Sequence, residues 1–337
     1  MTMQARGDAP RILLDAHGGD RAPGVVFEAV RLLQAEKAPL EIGVVGTDEV
    51  AAEAEALGLA FVRAETFVAM DDPVATAVRR KRGSTMHVGC KLVREGAWDA
   101  FVSAGNTGAL MAIAKLILKT APGVDRPAIA TMIPARNDTK TLFLDMGANV
   151  DCTAEHLVQF ALMGSCYMQA AEGLENPRVG LLNIGSEAIK GNDVVKLAAS
   201  LLEDSPVNYI GFVEGGDLFS DRVDVVVADG FVGNVALKVM EGTARFLAEV
   251  LREELTGRIT GKLGAWLARG ALAGLKERVD PGRYNGAPLL GLNGIVVKSH
   301  GAAGAEEYAR AVQVAAREAR AGIVHLLGEM LGRWEEA

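Results

Sequence analysis

Short apolar runs that end in Gly, Asp, Asn or Ser recur along the chain, at residues 12–15, 42–46, 101–103, 142–145, 179–183 and 223–229. Runs this short, bounded by turn formers, predict buried strands. Most are followed by stretches with apolar positions at helical spacing, at 25–36, 107–119, 154–171 and 194–202. Strand, polar turn and helix in repetition predict a three-layer α/β/α protein with a largely parallel central sheet covered on both faces. A later run, Ile295-Val-Val-Lys298, reads as one more strand.

In such sheets ligands bind beyond the carboxyl ends of the strands, where turns expose backbone N–H groups and helix N-termini point outward. Four turns carry the matching chemistry: DAHGGD at 15–20, SAGNTG at 103–108, NIGSEAIKGND at 183–193 and DGFVGN at 229–234. Each follows an apolar run and opens a helix. Glycine admits close approach of an anion, hydroxyl and amide side chains donate, and a helix start adds partial positive charge. Any one of these loops also reads as an ordinary tight turn. The four together are expected at the same end of one sheet, converging on a small oxyanion.

Composition narrows the class. The chain has 337 residues, 50% hydrophobic and 23% charged, which is that of a folded protein. The expected organisation is a tail at 1–10, then a single unit over 11–335 made of two lobes around a cleft, with the lobe change near 127–145. The 35 basic and 43 acidic side chains give a formal charge of -8, which argues against a nucleic-acid partner. Three cysteines without CxxC spacing read as buried thiols in a reducing cytoplasm. No secretory apolar core or spanning stretch of about 20 apolar residues is present.

Familiar signatures are missing. There is no G-x-x-x-x-G-K-[ST], no G-x-G-x-x-G after the first strand and no G-x-S-x-G. Cys152 and His156 stand four apart, facing each other on a helix or packing in the core. Asp15, Asp20, Asp145, Asp151 and Asp229 either meet around a metal ion or cap helices and order turns.

The segments LDAHGGDRAP (14–23), SAGNTGALMA (103–112), RPAIATMIP (126–134), LDMGANVD (144–151), GLLNIGSEAIKGN (180–192), DVVVADGFVGNVALK (224–238) and YNGAPLLGLNGIVVKSHGAA (284–303) cover the chain nearly end to end. On them the chain resembles the PlsX-type phosphate acyltransferases of bacterial phospholipid synthesis. The resemblance implies transfer of a fatty acyl group from acyl carrier protein to inorganic phosphate, without cofactor or metal. It also implies an isocitrate/isopropylmalate dehydrogenase-like fold, shared with phosphate acetyltransferases, and a homodimer. A CoA-dependent phosphate acetyltransferase or NAD(P)-linked dehydrogenase of that fold, and a non-catalytic scaffold that recruits partners to the membrane, are the alternatives. His17 stands where the resemblance leads one to expect methionine, which makes it an acid/base candidate.

With that reaction in view, Lys190 and Asn234 are the expected contacts to phosphate or to the developing oxyanion, Lys190 being the only cation inside the glycine turns. The cradle is expected from Asp15, Gly18, Gly19, Asp20, Ser103, Gly105, Asn106, Thr107, Asp145, Asn149, Gly185, Ser186, Glu187, Asp229 and Gly230. His300, after Lys298, either protonates the departing thiolate or is a buried, hydrogen-bonded structural residue.

Two surfaces stand out. Within 255–275, Leu255, Ile259, Leu263, Trp266 and Leu267 form one helical stripe edged by Arg258, Lys262 and Arg269. It suits peripheral contact with the inner face of the membrane, where the downstream glycerol-3-phosphate acyltransferase is a possible partner, or else a dimer interface or core cover. The run Arg79-Arg-Lys-Arg82 reads as a docking patch for the acidic carrier protein or as a solvated helix end.

Overall fold

The structure is a computed structural model that describes residues 9–279 and 281–335, so the expected tail lies, up to residue 8, outside the described residues. Eleven strands form one sheet: β1 (Arg11–Asp15), β2 (Glu41–Gly46), β3 (Ala60–Arg63), β4 (Ala100–Ser103), β5 (Ala128–Pro134), β6 (Lys140–Leu144), β7 (Arg178–Leu182), β8 (Asn208–Val213), β9 (Val225–Val227), β10 (Ala287–Leu290) and β11 (Ile295–Lys298). Their order is β3-β2-β1-β4-β11-β10-β5-β6-β9-β7-β8.

Side-chain alternation along each strand explains why the apolar runs are continuous. Ile12 and Leu14 enter one core cluster and Leu13 the other; Ala100 and Val102 oppose Phe101, and Val225 and Val227 oppose Val226. Both faces are therefore apolar, and both carry helices. Helices Gly24–Ala35, Ala154–Glu172, Asp193–Glu203, Ala305–Ala321 and Ile323–Glu335 cover the first face. Helices Val74–Arg80, Thr85–Arg94, Thr107–Leu118 and the start of Gly230–Gly257 cover the second. The three-layer α/β/α expectation holds.

The sequence pattern passes over β3, β5, β8 and β10. The edge strands β3 and β8 are only partly buried, so their pattern is diluted. β5 and β10 contain proline and leave the strand–turn–helix rhythm. The stripe at 255–275 is not one helix either: Arg258 is extended and divides Gly230–Gly257 from Ile259–Leu267, after which Arg269–Val279 follows.

Strand direction corrects the larger expectation. Most neighbouring pairs are parallel, but β10 is antiparallel to both β11 and β5, and β5 is antiparallel to β6. β6, β9, β7 and β8 consequently run opposite to β1, β4 and β11. Carboxyl ends in the two halves of the sheet lie at opposite edges. With about 4.8 Å between strands, the five steps from β4 to β9 add roughly 24 Å of lateral separation. Within one chain the four glycine turns form two groups, one at each edge. The reversals fall on β10 and β5, and the chain from β10 onward returns to the N-terminal half.

Close packing fixes the first half. Gly43 of β2 faces the buried Trp98, and a Cβ built on it would lie 2.1 Å from the indole Cη2. Gly43→Ala must displace that ring, at a cost of about 1–3 kcal/mol. In urea titration the unfolding midpoint should fall with its slope unchanged.

Candidate active site

The second edge is built from the ends of three neighbouring strands, β6, β9 and β7. Asp145, just past β6, is fully buried. Its Oδ1 accepts from the backbone N–H groups of Ile129 (3.0 Å), Gly147 (3.2 Å) and Ala148 (3.0 Å). Its Oδ2 accepts from Asn149 N (2.7 Å) and Asn149 Nδ2 (2.9 Å), while that amide also donates to Pro127 O at 2.8 Å. Burial pushes the Asp145 carboxyl pKa up, and these donors pull it back. Both oxygens are engaged, so Asp145 and Asn149 shape the turn and are not free to grip a ligand.

Helix Gly230–Gly257 starts directly against that turn. A Cβ on Gly233 would sit 1.9 Å from Asp145 O, and one on Gly230 would sit 2.6 Å from Asn149 O. Only glycine permits this contact. Asp229 caps the helix, its Oδ1 accepting from Val232 N at 2.8 Å. Asn234, one turn in, lies beside Gly147, whose φ of +124° also calls for glycine.

β7 borders β9, so the turn at 183–192 lies next to that helix start. Asn183 Oδ1 accepts from Ile184 N (2.9 Å), its Nδ2 donates to Lys190 O (3.2 Å), and Asn192 caps Asp193–Glu203. Gly185 is buried, and the Glu187 carboxylate and Lys190 stem fold back over it. The side chains of Ser186, Lys190 and Asn234 are exposed and make no hydrogen bond or ion pair among the described residues. Unengaged donors therefore stand at the ends of two adjacent strands, each followed by a helix N-terminus, one helix on either face of the sheet, and helix starts favour an anion.

The first edge, at the ends of β1, β4 and β11, is internally bonded. Ser103 Oγ donates to buried Asp15 (2.7 Å) and accepts from Gly105 N (3.1 Å), while His17 N donates to Asp15 Oδ1 (3.1 Å). Gly18 packs on the Ser103 hydroxyl and Gly105 N, Gly19 takes φ +102°, and Asp20 N donates to Gly301 O at 2.8 Å. Asn106 caps Thr107–Leu118 by accepting from Ala109 N (3.0 Å) and donates to Met70 O and Asp72 O. Asp15, Ser103 and Asn106 thus hold loops together, and the structure does not bring them to Lys190 or Asn234 within one chain. Thr107 is exposed at the helix start.

The histidines sort out similarly. His17 stacks on Phe67 at 4.7 Å, and its Nε2 accepts from Thr47 N, an anchoring role. His300 is exposed, which overturns the buried reading; its Nδ1 accepts from Ala302 N at 3.2 Å. His156 completes a capping box with Thr153, and burial pushes the Cys152 thiol up to about 11, so the two do not act as a pair. Asp15 and Asp20 lie at one edge and Asp145, Asp151 and Asp229 follow strands ending at the other.

Lys298, which the sequence places beside His300 at the end of the late apolar strand and near the expected cleft, is the lone charge on that strand. It is 8% exposed, and its Nζ donates to Ala104 O (3.1 Å) and to Ser299 O. Burial lowers its pKa to about 8, against the opposing pull of Asp20 and Asp15.

A three-layer α/β/α sheet with this course is the fold of the phosphotransacetylases. A phosphotransacetylase from Streptococcus pyogenes superposes with a TM-score of 0.59 at 20% identity, covering 93% of this chain and 94% of that one. One from Staphylococcus aureus gives 0.58 at 20% identity, covering 92% and 94%. The chain belongs to the family of fatty acid synthesis proteins, whose model matches residues 10–326. Curated relatives include phosphate acyltransferases from Alkalilimnicola ehrlichii, 49% identical over 95% of each chain, and Alcanivorax borkumensis, 48% identical over 96% of this chain and 97% of that one.

The Lys298 environment has a thermodynamic consequence. A base whose folded pKa is lowered binds fewer protons folded than unfolded between the two values, so its contribution to stability rises with pH there. From about pH 8 to pH 10.5 wild type should gain stability relative to Lys298→Met. Chemical denaturation of both at pH 7 and pH 10 checks this; parallel pH dependences would show that the ammonium is not held in a dry site.

Proposed function

We propose that this chain transfers a fatty acyl group from acyl carrier protein to inorganic phosphate at the edge formed by the ends of β7 and β9. The activity class, phosphate acyltransferase, is that of its family and relatives. The observation that carries the site is the pair Lys190 and Asn234, exposed donors without partners among the described residues, in the turn or first helical turn that follows each of two neighbouring strands.

The chemistry asks for positioning and charge. Hydrogen phosphate is already a nucleophile; its oxygen forms a bond to the thioester carbonyl carbon, giving a tetrahedral oxyanion. The C–S bond then breaks, the carbonyl reforms, and the phosphate proton ends on the departing sulfur, leaving acyl phosphate and the free carrier thiol. Lys190 and the helix N-termini offset the charge on phosphate, and Asn234 Nδ2 and Ser186 donate to the oxygens. The anchored Asp145 turn holds the helix start in place beneath them. Aligned reactants lower the barrier by about 7–11 kcal/mol.

The wider assembly follows from exposed apolar surface. Helix Gly230–Gly257 spans about 42 Å at 1.5 Å per residue. Among its described residues only Gly230 and Gly233 are buried, while Val239, Phe246 and Leu247 are more than half exposed. A second copy of this chain covers that face in a homodimer. Ile259, Trp266 and Leu267 are 87%, 61% and 70% exposed, with Arg269 stacked over Trp266 at 5.4 Å. They form the contact with the inner membrane face, where a glycerol-3-phosphate acyltransferase consumes the product. No helix among the described residues is long and apolar enough to cross a membrane.

Lys190→Ala and Asn234→Ala should each lower phosphate-dependent thiol release from a long-chain acyl carrier protein by about 100- to 1,000-fold, with unchanged circular dichroism. Near-normal turnover would remove the residue from the mechanism, and a preference for acetyl-CoA would shift the reading to an acetyltransferase. Separately, Trp266→Glu should abolish sedimentation with anionic liposomes while thiol release in solution persists.

A further inference from the structure

Helices Val74–Arg80, Thr85–Arg94 and Thr107–Leu118 cover the β1–β4–β11 half of the sheet, away from the β7–β9 edge. Between them lies an open groove of about 390 Å³, within the roughly 300–1,000 Å³ of small-molecule sites. Its wall is apolar, from Val78, Leu116 and Ile117, and Leu116 is 59% exposed. Its rim is cationic, from Arg82, Lys91 and Arg94, and no acidic residue lines it.

The basic run noted in the sequence is not one patch. Lys81 turns away to Asp72 (2.5 Å) and Phe67 O (3.1 Å). Arg82 instead joins three residues from the next helix, His87, Lys91 and Arg94, which share a face by their spacing. Arg82 and Arg94 have no ion pair among the described residues, and Lys91 meets only Glu95, at 3.8 Å and exposed, a weak pairing. His87 is 7% exposed, its Nδ1 bonded to Ser84 Oγ at 3.0 Å. Burial first, and then Arg82, push its pKa down, so at pH 7 it adds no further charge.

Three largely unneutralised cations over an apolar strip, on a chain of formal charge -8, complement a ligand with an anionic head and an apolar tail. We propose that this groove binds a single-chain anionic amphiphile, an acyl or alkyl chain ending in phosphate or carboxylate. The head pairs with Arg82, Lys91 and Arg94, and the chain lies along Val78, Leu116 and Ile117. An acyl phosphate is a member of this class; that particular ligand rests on the function proposed above, whereas the groove's chemistry does not.

Calorimetric titration with dodecyl phosphate and with dodecanoate, below their micellar concentrations, tests the site directly and independently of turnover. Binding should weaken at least 10-fold when Arg82→Glu, Lys91→Glu and Arg94→Glu are combined, by a smaller factor in the corresponding triple Gln variant, and at least 10-fold in Leu116→Asp. It should persist in Lys190→Ala. Inorganic phosphate alone should compete at least 10-fold less well than dodecyl phosphate. Binding unchanged in the charge-reversed protein, binding lost in Lys190→Ala, or dodecyl maltoside bound as tightly as dodecyl phosphate would each overturn the proposal. So would a charge-reversed protein that loses acyl carrier protein but keeps dodecyl phosphate, because the groove would then be a protein-docking surface.

Discussion

Two strands that run against their neighbours set the geometry of everything else. A parallel strand delivers its loop, and the helix that follows, at its carboxyl end, and ligand chemistry collects there. Because β10 opposes both β11 and β5, and β5 opposes β6, one continuous sheet acquires two such ends. The turns after β1, β4 and β11 gather at one, and those after β6, β9 and β7 at the other. A uniformly parallel sheet would put all six on one rim. The reversal instead separates Asp15, Ser103 and Lys298 from Lys190 and Asn234 within the chain.

Much of the α/β/α architecture was legible in the apolar runs, because a strand buried on both faces must be apolar at successive positions, as Ile12, Leu13 and Leu14 are. Strand direction was not legible. It depends on the pairing of residues far apart in the chain, such as Leu290 with Ala128, and no local pattern in β5 or β10 encodes the partner. The site was legible as chemistry and not as role. Asp145 and Lys190 look alike in sequence, each a charged residue among glycines. What distinguishes them is a backbone donor 16 residues upstream of Asp145, Ile129 N–H, and the buried amide of Asn149. The burial of Lys298 was not legible, because a lysine ending a strand usually reaches water and its burial depends on the turn at Ala104, nearly 200 residues earlier.

The contrast between saturated and unsaturated groups sorts the candidate residues by function. A buried carboxylate that accepts five hydrogen bonds is held in one geometry, and moving it would strand its donors at about 1–3 kcal/mol each. That rigidity passes to helix Gly230–Gly257 through Gly230 and Gly233, which bring its first turn onto the Asp145 backbone. Asn234 therefore stands on a fixed platform while its own amide remains unengaged. Preorganised donors stabilise developing charge because they need not reorient when it appears. A neutral cap in place of Asp145 would leave the backbone donors of Gly147, Ala148 and Asn149 short of an acceptor, and the platform would loosen before the donors above it were touched. In the function proposed above, Asp145 supports the edge without contacting the reacting atoms, and Lys190 acts by the opposite property, a charge that the fold leaves unpaired among the described residues.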